Sequence, residues 1–418
     1  MKKKIVWVVN ILFDYHRNML NLDTTKVTGA SWLYAALEAS KKASDIESHI
    51  VTVAKVSEAM EAEHEGNFYY ILPGGGVRNY DYHSAENKGL WEQLKKRIEP
   101  DLAIIWGTEC PFAYLAMTCF RGVPMAIYMQ GVMDSIYTHY YEGVPHQYIC
   151  KTFRDYYDRV NSGSQILSYK NQVPLEKEMF KMADAVIVEN DWCEDMCKSV
   201  NPNLKVFRNN LPIRDAFYQK EWKLERAERY TIFTNSGGYP IKGHHILFQA
   251  LTIVKQKYPQ VKCYLPGYTL QTFLPIRRKT GYMSYLEKLI VDNDLKNNVI
   301  YTGSLSTEQM ADYIAKCHIY VMPSIMENHS SSLIEAMIIG APSISSLVGG
   351  TASLVSHKQN GLLYNSLDYK SLAGNIIRLF EDNKLSMELG KNALKIRERR
   401  NGDFGAEMNL IYDKLLNA

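Results

Sequence analysis

The chain has 418 residues and 48.0 kDa, of which 46% are hydrophobic and 22% charged, with a formal net charge of +3. That length fits two domains of roughly 200 residues better than one core, and the composition excludes a disordered chain. The small net charge gives no argument for a nucleic-acid partner, while leaving room for peripheral contact with an anionic membrane or for a phosphorylated substrate.

The N-terminus MKKKIVWVVNILF starts like a signal peptide, but its apolar run stops at Asp14, Arg17 follows, and no small-residue cleavage pattern is present. Residues 4–9 are therefore read as a first buried strand. Further strands are predicted at HIVTVA (49–54), DLAIIW (101–106), PMAIYM (124–129), DAVIVE (184–189) and 205–207. Near-continuous apolar strands separated by helical stretches indicate a parallel sheet covered on both faces. The turn-rich FRNNLPIRDAF closes a first domain, 1–212.

The rhythm then restarts. YTIFTNS (230–236), the helical GHHILFQALTIVKQKY, VKCYLPG (261–267), a helix around 282–289, NVIYTG (298–303), a helix around 308–315 and HIYVMP (318–323) lead to MENHSSSLIEAMIIG (326–340). These make a second α/β domain, 213–396, with ligands expected at the carboxyl ends of its strands. The terminal helical segment, 397–418, is interrupted at NGDFG, and either closes the second domain or crosses back to the first.

Cys110, Cys119, Cys150, Cys193, Cys197, Cys263 and Cys317 are dispersed, as expected of reduced thiols in a cytoplasmic protein. WCEDMC has no accompanying His or Cys cluster, so Cys193 and Cys197 read as buried thiols rather than zinc ligands. DND at 292–294 reads as a solvated turn. No metal site is expected. No run approaches the ~20 apolar residues that cross a bilayer.

In MENHSSSLIEAMIIG a helix beginning near Ser330 places Glu335 on its face and leaves Glu327 in the preceding loop, so two carboxylates can reach one ligand from different elements. Capping and solvation account equally well for Glu327 and Glu335 at this level. Lys242 in YPIKGHH is a candidate phosphate ligand or a surface lysine at a helix start. TGASW supplies Thr28, Gly29 and Ser31 at a turn, and PGGG (73–76) reads as a simple turn. Between 131 and 178 lie Tyr137, Tyr140, Tyr141, Tyr148, Tyr156, Tyr157 and Tyr169, which suit either sugar stacking or ordinary packing.

PSIMENHSSSLIEAMIIGAPSISSLVGG (323–350), with a Glu, seven residues and a second Glu, then EAM, G-x-P and GG, resembles the retaining glycosyltransferases of family 4. Weaker likeness runs through TGASW, MADAVIVEN, RNN, YPIKGHHILFQA, LPG and YTGSLSTEQMADYIAKCHIYVMPS, covering nearly the whole chain. The resemblance implies a GT-B fold, two Rossmann-like α/β/α domains facing each other across a cleft. It also implies transfer of a sugar from a nucleotide diphosphate sugar to a glycan, lipid-linked saccharide or other hydroxyl acceptor, with retained anomeric configuration and no cofactor or metal.

By that resemblance Glu327 approaches the donor sugar, Glu335 takes hydrogen bonds from the ribose and Lys242 meets the diphosphate, making Glu327 and Lys242 the catalytic candidates. Asn328, His329, Ser330, Ser331, Ser332, Gly29 and Gly237 complete the donor-binding candidates; Thr28, Ser31, Gln130, Tyr137 and Tyr140 are the acceptor-binding ones. Two departures stand out. Gly237 replaces the Arg usual five positions before the Lys, with Arg277, Arg278 and Lys279 as alternative cations. Gln130 stands where a His is frequent, and an amide is no base. A nucleotide-sugar epimerase of related fold and a noncatalytic carbohydrate or nucleotide-sugar binder remain alternatives. Bacterial polysaccharide assembly in the cytoplasm, reaching the inner face of its membrane, is the setting the resemblance implies.

Overall fold

The apolar runs become strands. In the computed structural model, which describes residues 2–22, 31–40, 46–75, 80–160, 164–234, 237–267, 279–400 and 402–417, they form two sheets. The candidates Thr28, Gly29, Arg277 and Arg278 lie outside the described residues. The first sheet contains β1 (Lys3–Val8), β2 (Ile46–Ala54), β3 (Met60–His64), β4 (Asn67–Pro73), β5 (Leu102–Trp106), β6 (Met125–Tyr128), β7 (Ala185–Val188) and β8 (Lys205–Arg208), ordered β3-β4-β2-β1-β5-β6-β7-β8. The second contains β9 (Glu228–Thr234), β10 (Lys262–Pro266), β11 (Val299–Gly303), β12 (Cys317–Met322), β13 (Ser343–Leu347) and β14 (Leu362–Asn365), ordered β11-β10-β9-β12-β13-β14.

The second sheet is wholly parallel among the described residues and has the doubly wound order, its first strand central and the order reversing between β9 and β12. The first sheet repeats that pattern, reversing between β1 and β5, with β8 added at one edge and β3 antiparallel at the other. β5, β6, β7 and β12 are buried along their whole length, which is why they read as unbroken apolar runs. β13, SISSL, carries no such signal. Its serines are nevertheless buried because their hydroxyls find carbonyls: Ser343 Oγ donates to Ala341 O at 2.8 Å and Ser346 Oγ to Ser324 O at 2.5 Å.

The chain divides into two compact units, one of residues 1–137, 165–212 and 402–418, the other of 138–164 and 213–401. The terminal helix Phe404–Leu416 packs Phe404, Met408, Ile411, Tyr412 and Leu415 into the first unit's core beside Trp7 and Tyr128. The NGDFG interruption is a helix start, where the Asp403 carboxylate accepts from the amides of Gly405 and Ala406. Nothing local in the sequence marks residues 138–164 as part of the second unit. They are held there by Asp155 Oδ2, which accepts from Gly281 N at 2.8 Å, and by Tyr148 stacked on Tyr285.

Cys193 and Cys197 are fully buried on the helix Asp191–Val200. Asp292 ends the helix Gly281–Asp292, and Asp294 pairs with Lys255 at 2.9 Å. Among the described residues no helix is long and apolar enough to cross a membrane.

Candidate active site

β12 delivers the chain to the carboxyl edge of the second sheet, next to its switch point, and the loop that follows carries Glu327. Ser330 ends the loop: its hydroxyl accepts from Leu333 N at 3.3 Å and starts the helix Ser331–Ile339, which Gly340 closes in the left-handed conformation. Glu327 does not cap that helix. Its Oε1 accepts from Lys242 Nζ at 2.5 Å and from Ser324 Oγ at 2.7 Å, while Gly350 N donates to its backbone carbonyl at 3.1 Å.

Lys242 reaches Glu327 because two loops are joined. It ends the short 3-10 turn Pro240–Lys242 after β9, and Ile325 N donates to Ile241 O at 2.8 Å. Gly243 follows with φ 70°, and a Cβ there would lie 1.9 Å from Pro323 O, so the approach requires glycine. The Lys242 and Glu327 side chains are only 21% and 13% exposed, which removes the surface-lysine account.

Glu335 is likewise not a solvated helix acid. Its side chain is 7% exposed and its Oε1 accepts from Arg214 Nη2 at 2.9 Å; Arg214 Nη1 in turn donates to Thr307 Oγ1 at 2.5 Å. Burial raises the Glu335 pKa and the Arg214 charge opposes that rise. Arg214 escaped the sequence reading because it sits in the boundary segment, 121 residues from its partner, where no periodicity links them.

Gly237 adopts φ 135°, with its would-be Cβ 2.7 Å from Lys242 Cγ, so a side chain there crowds the lysine. Lys279, a candidate substitute for the absent arginine, is paired with Glu287. Asn328 is buried, His329 lies beside Arg400 (3.3 Å from Nη2 to Nε2), Ser332 Oγ lies 3.2 Å from Ser330 Oγ, and Ser331 opens the helix half-buried.

In the first unit, Ser31 is the first residue of the helix Ser31–Ser40. Gln130 follows β6 and its Oε1 accepts from Asn10 Nδ2 at 3.4 Å. Tyr137 is half-buried on the helix Met133–His139. Tyr140 falls in the second unit and is buried edge-on against Tyr141, ring centroids 4.8 Å apart. Tyr156 and Tyr157 are exposed.

Residues 217–396 match the family model described as glycosyl transferases group 1. The chain is 28% identical over 176 residues to the amylovoran biosynthesis glycosyltransferase AmsK of Erwinia amylovora, covering 41% of this chain and 38% of that protein. It is 24% identical over 162 residues to the D-inositol 3-phosphate glycosyltransferase of Pseudarthrobacter chlorophenolicus, covering 39% and 37%. The chain thus spans little more than a third of the length of these relatives. Solved structures match throughout: sucrose-phosphate synthase from Thermosynechococcus elongatus has a TM-score of 0.70 at 18% identity over 100% of both chains, and Anabaena HepE in complex with UDP and glucose has 0.68 at 18% over 99% of both. The chain has the GT-B fold of two Rossmann-like α/β domains, and its second unit carries the group 1 glycosyl transferase match.

Proposed function

We propose that the protein is a retaining glycosyltransferase of family 4 that moves a hexose from a nucleotide diphosphate sugar to a saccharide or other hydroxyl acceptor. The observation that carries this is the Lys242–Glu327 ion pair at the switch point of the sheet within the matched segment. In the reaction the acceptor oxygen bonds to the anomeric carbon, the bond from that carbon to the β-phosphate oxygen breaks, and the acceptor proton passes to the departing phosphate on the same face. Lys242 supplies positive charge where negative charge grows on the leaving diphosphate, exchanging Glu327 for phosphate as the donor enters. Glu327 is then released to orient the sugar hydroxyls, and Glu335, braced by Arg214, accepts from the ribose. No metal is required, since the cation is the lysine.

The likeness to an amylovoran biosynthesis glycosyltransferase supports a role in bacterial polysaccharide assembly, and a HepE structure in complex with UDP-glucose makes that sugar nucleotide the first donor to try. The test is incubation with UDP-, GDP- and ADP-sugars and a saccharide panel, with mass detection of glycosides and released nucleotide, in the presence of chelator. Lys242→Ala should lower turnover about 10²- to 10³-fold; Glu327→Ala should act mainly on transfer, and Glu335→Ala on donor KM by at least about tenfold. Wild-type transfer by all three variants, an inverted product anomer, or activity restored only by Mg²⁺ would each refute part of the reading.

A further inference from the structure

Glu327 is held from two sides by groups of the second unit. Its Oε1 accepts from Lys242 Nζ at 2.5 Å and from Ser324 Oγ at 2.7 Å, while Oε2 makes no hydrogen bond among the described residues. Ser324 is fully buried, and its carbonyl accepts from Ser346 Oγ of β13 at 2.5 Å. Ser346 is fully buried as well, and its own carbonyl accepts from Thr351 Oγ1 at 3.0 Å. The turn leading to Thr351 grips the backbone of the acid. Gly350 N donates to Glu327 O at 3.1 Å, and a Cβ on Gly349, whose φ is 47°, would lie 2.0 Å from that carbonyl.

The two donors on Oε1 respond differently to a nucleotide sugar. Lys242 comes from another loop and carries the charge that a diphosphate competes for, so its hold on Glu327 is the one that a ligand breaks. Ser324 has no charge to offer a phosphate, and Ser346 pins its backbone. A glutamate that lost both ties would regain its rotamer freedom and give up a fixed direction. With the serine in place Oε1 stays bonded, and Oε2 keeps its lone pairs for a ligand at a set position.

We propose that Ser324 is a positioning residue for the donor sugar: its hydroxyl keeps Glu327 Oε1 in place when Lys242 turns to the diphosphate, so that Oε2 is presented to a sugar hydroxyl. The inference rests on the glycosyltransferase reading and extends the site to the buried hydroxyls behind it. Ser346 serves it from β13 by fixing the Ser324 backbone, and the Gly349–Gly350 turn serves it by fixing the backbone of Glu327. Ser324 therefore acts on the sugar through Glu327 and has no part in holding the nucleotide, whose ribose belongs to Glu335 and Arg214.

The experiment is calorimetry on the full chain with UDP-, GDP- and ADP-glucose, each beside its bare nucleoside diphosphate. The ratio of the two affinities cancels any loss that a loosened fold inflicts on both ligands. Ser324→Ala should lower that ratio about tenfold, as for a lost hydrogen bond to a charged group, and leave the affinity for the bare diphosphate unchanged. In a Glu327→Ala background the same substitution should change nothing further, because the residue through which it acts is gone. Ser346→Ala should shift the ratio in the same direction, whereas Ser343→Ala, equally buried on β13 but bonded to Ala341 O, should not. An equal loss for sugar nucleotide and bare diphosphate, a full further fall in the Glu327→Ala background, or an equal effect of Ser343→Ala would overturn the positioning role. Sugar-nucleotide binding that persists while those outcomes fail leaves the glycosyltransferase reading intact; a wild-type chain that binds no sugar nucleotide and transfers no sugar sinks that reading and this inference with it.

Discussion

Gly237 holds φ at 135° with Lys242 Cγ 2.7 Å from where its Cβ would be, and these two numbers bear on the departure that the family resemblance exposes. Restoring the arginine usual in the family should not restore a phosphate ligand. Gly237→Arg is expected to cost about 1–3 kcal/mol in backbone strain, to push Lys242 away from Glu327, and to lower transfer. Urea unfolding and donor KM together check this; wild-type stability with tighter donor binding would mean that the loop accepts the arginine without strain. The same scale shows how far local sequence carries. Glu327, Glu335 and Lys242 were legible as candidates because spacing and motif mark them. Arg214 and Ser324 were not, since their significance lies in partners that only folding reveals.

Among the elements, the helix Phe404–Leu416 departs furthest from chain order. Its Tyr412 is 2% exposed, and the ring hydroxyl accepts from Trp7 Nε1 at 3.2 Å, tying the end of the chain to β1. Lys3 Nζ adds a contact to Asp413 Oδ1 at 2.5 Å. Tyr412→Ala should destabilise the first unit by about 3–5 kcal/mol, as expected for a buried aromatic truncated to Ala. Amide hydrogen exchange should lose protection in β1, β2 and β5; an equal loss in β9 and β12, or none in β1, would show that the helix does not support the first sheet by itself. The sequence marked this helix by its amphipathic period but left its docking face open, because periodicity fixes which side is buried and not against what. β13 failed in the opposite way: its burial is paid for by serine hydroxyl bonds, which no apolar pattern announces.

For the molecule as a whole, buried titratable groups set opposing slopes of stability with pH. Burial lowers the pKa values of His16, His245 and His318 to about 4, so the unfolded chain binds more protons between about 4 and the ordinary 6.5, and stability should rise with pH through that window. Burial raises Glu109 and Glu176 to about 7 from the ordinary 4.5, so there the folded chain binds more protons and their contribution falls between 4.5 and 7. The histidines outnumber the acids in their common window, giving a predicted maximum near pH 6–6.5 and a modest decline to pH 8 that Glu109→Gln should reduce. Urea midpoints from pH 4.5 to 8.5 check both arms; a steady rise through pH 8 would show the two carboxyls already ionised without penalty. The sequence by itself determined two mainly parallel α/β sheets, because most of their central strands are buried on both faces and read as apolar runs, and it located the loop and helix of the candidate donor site through their motif. Only the tertiary structure decided which charges pair and where residues 138–164 and the terminal helix belong, since each depends on groups brought together from distant positions with no local pattern between them.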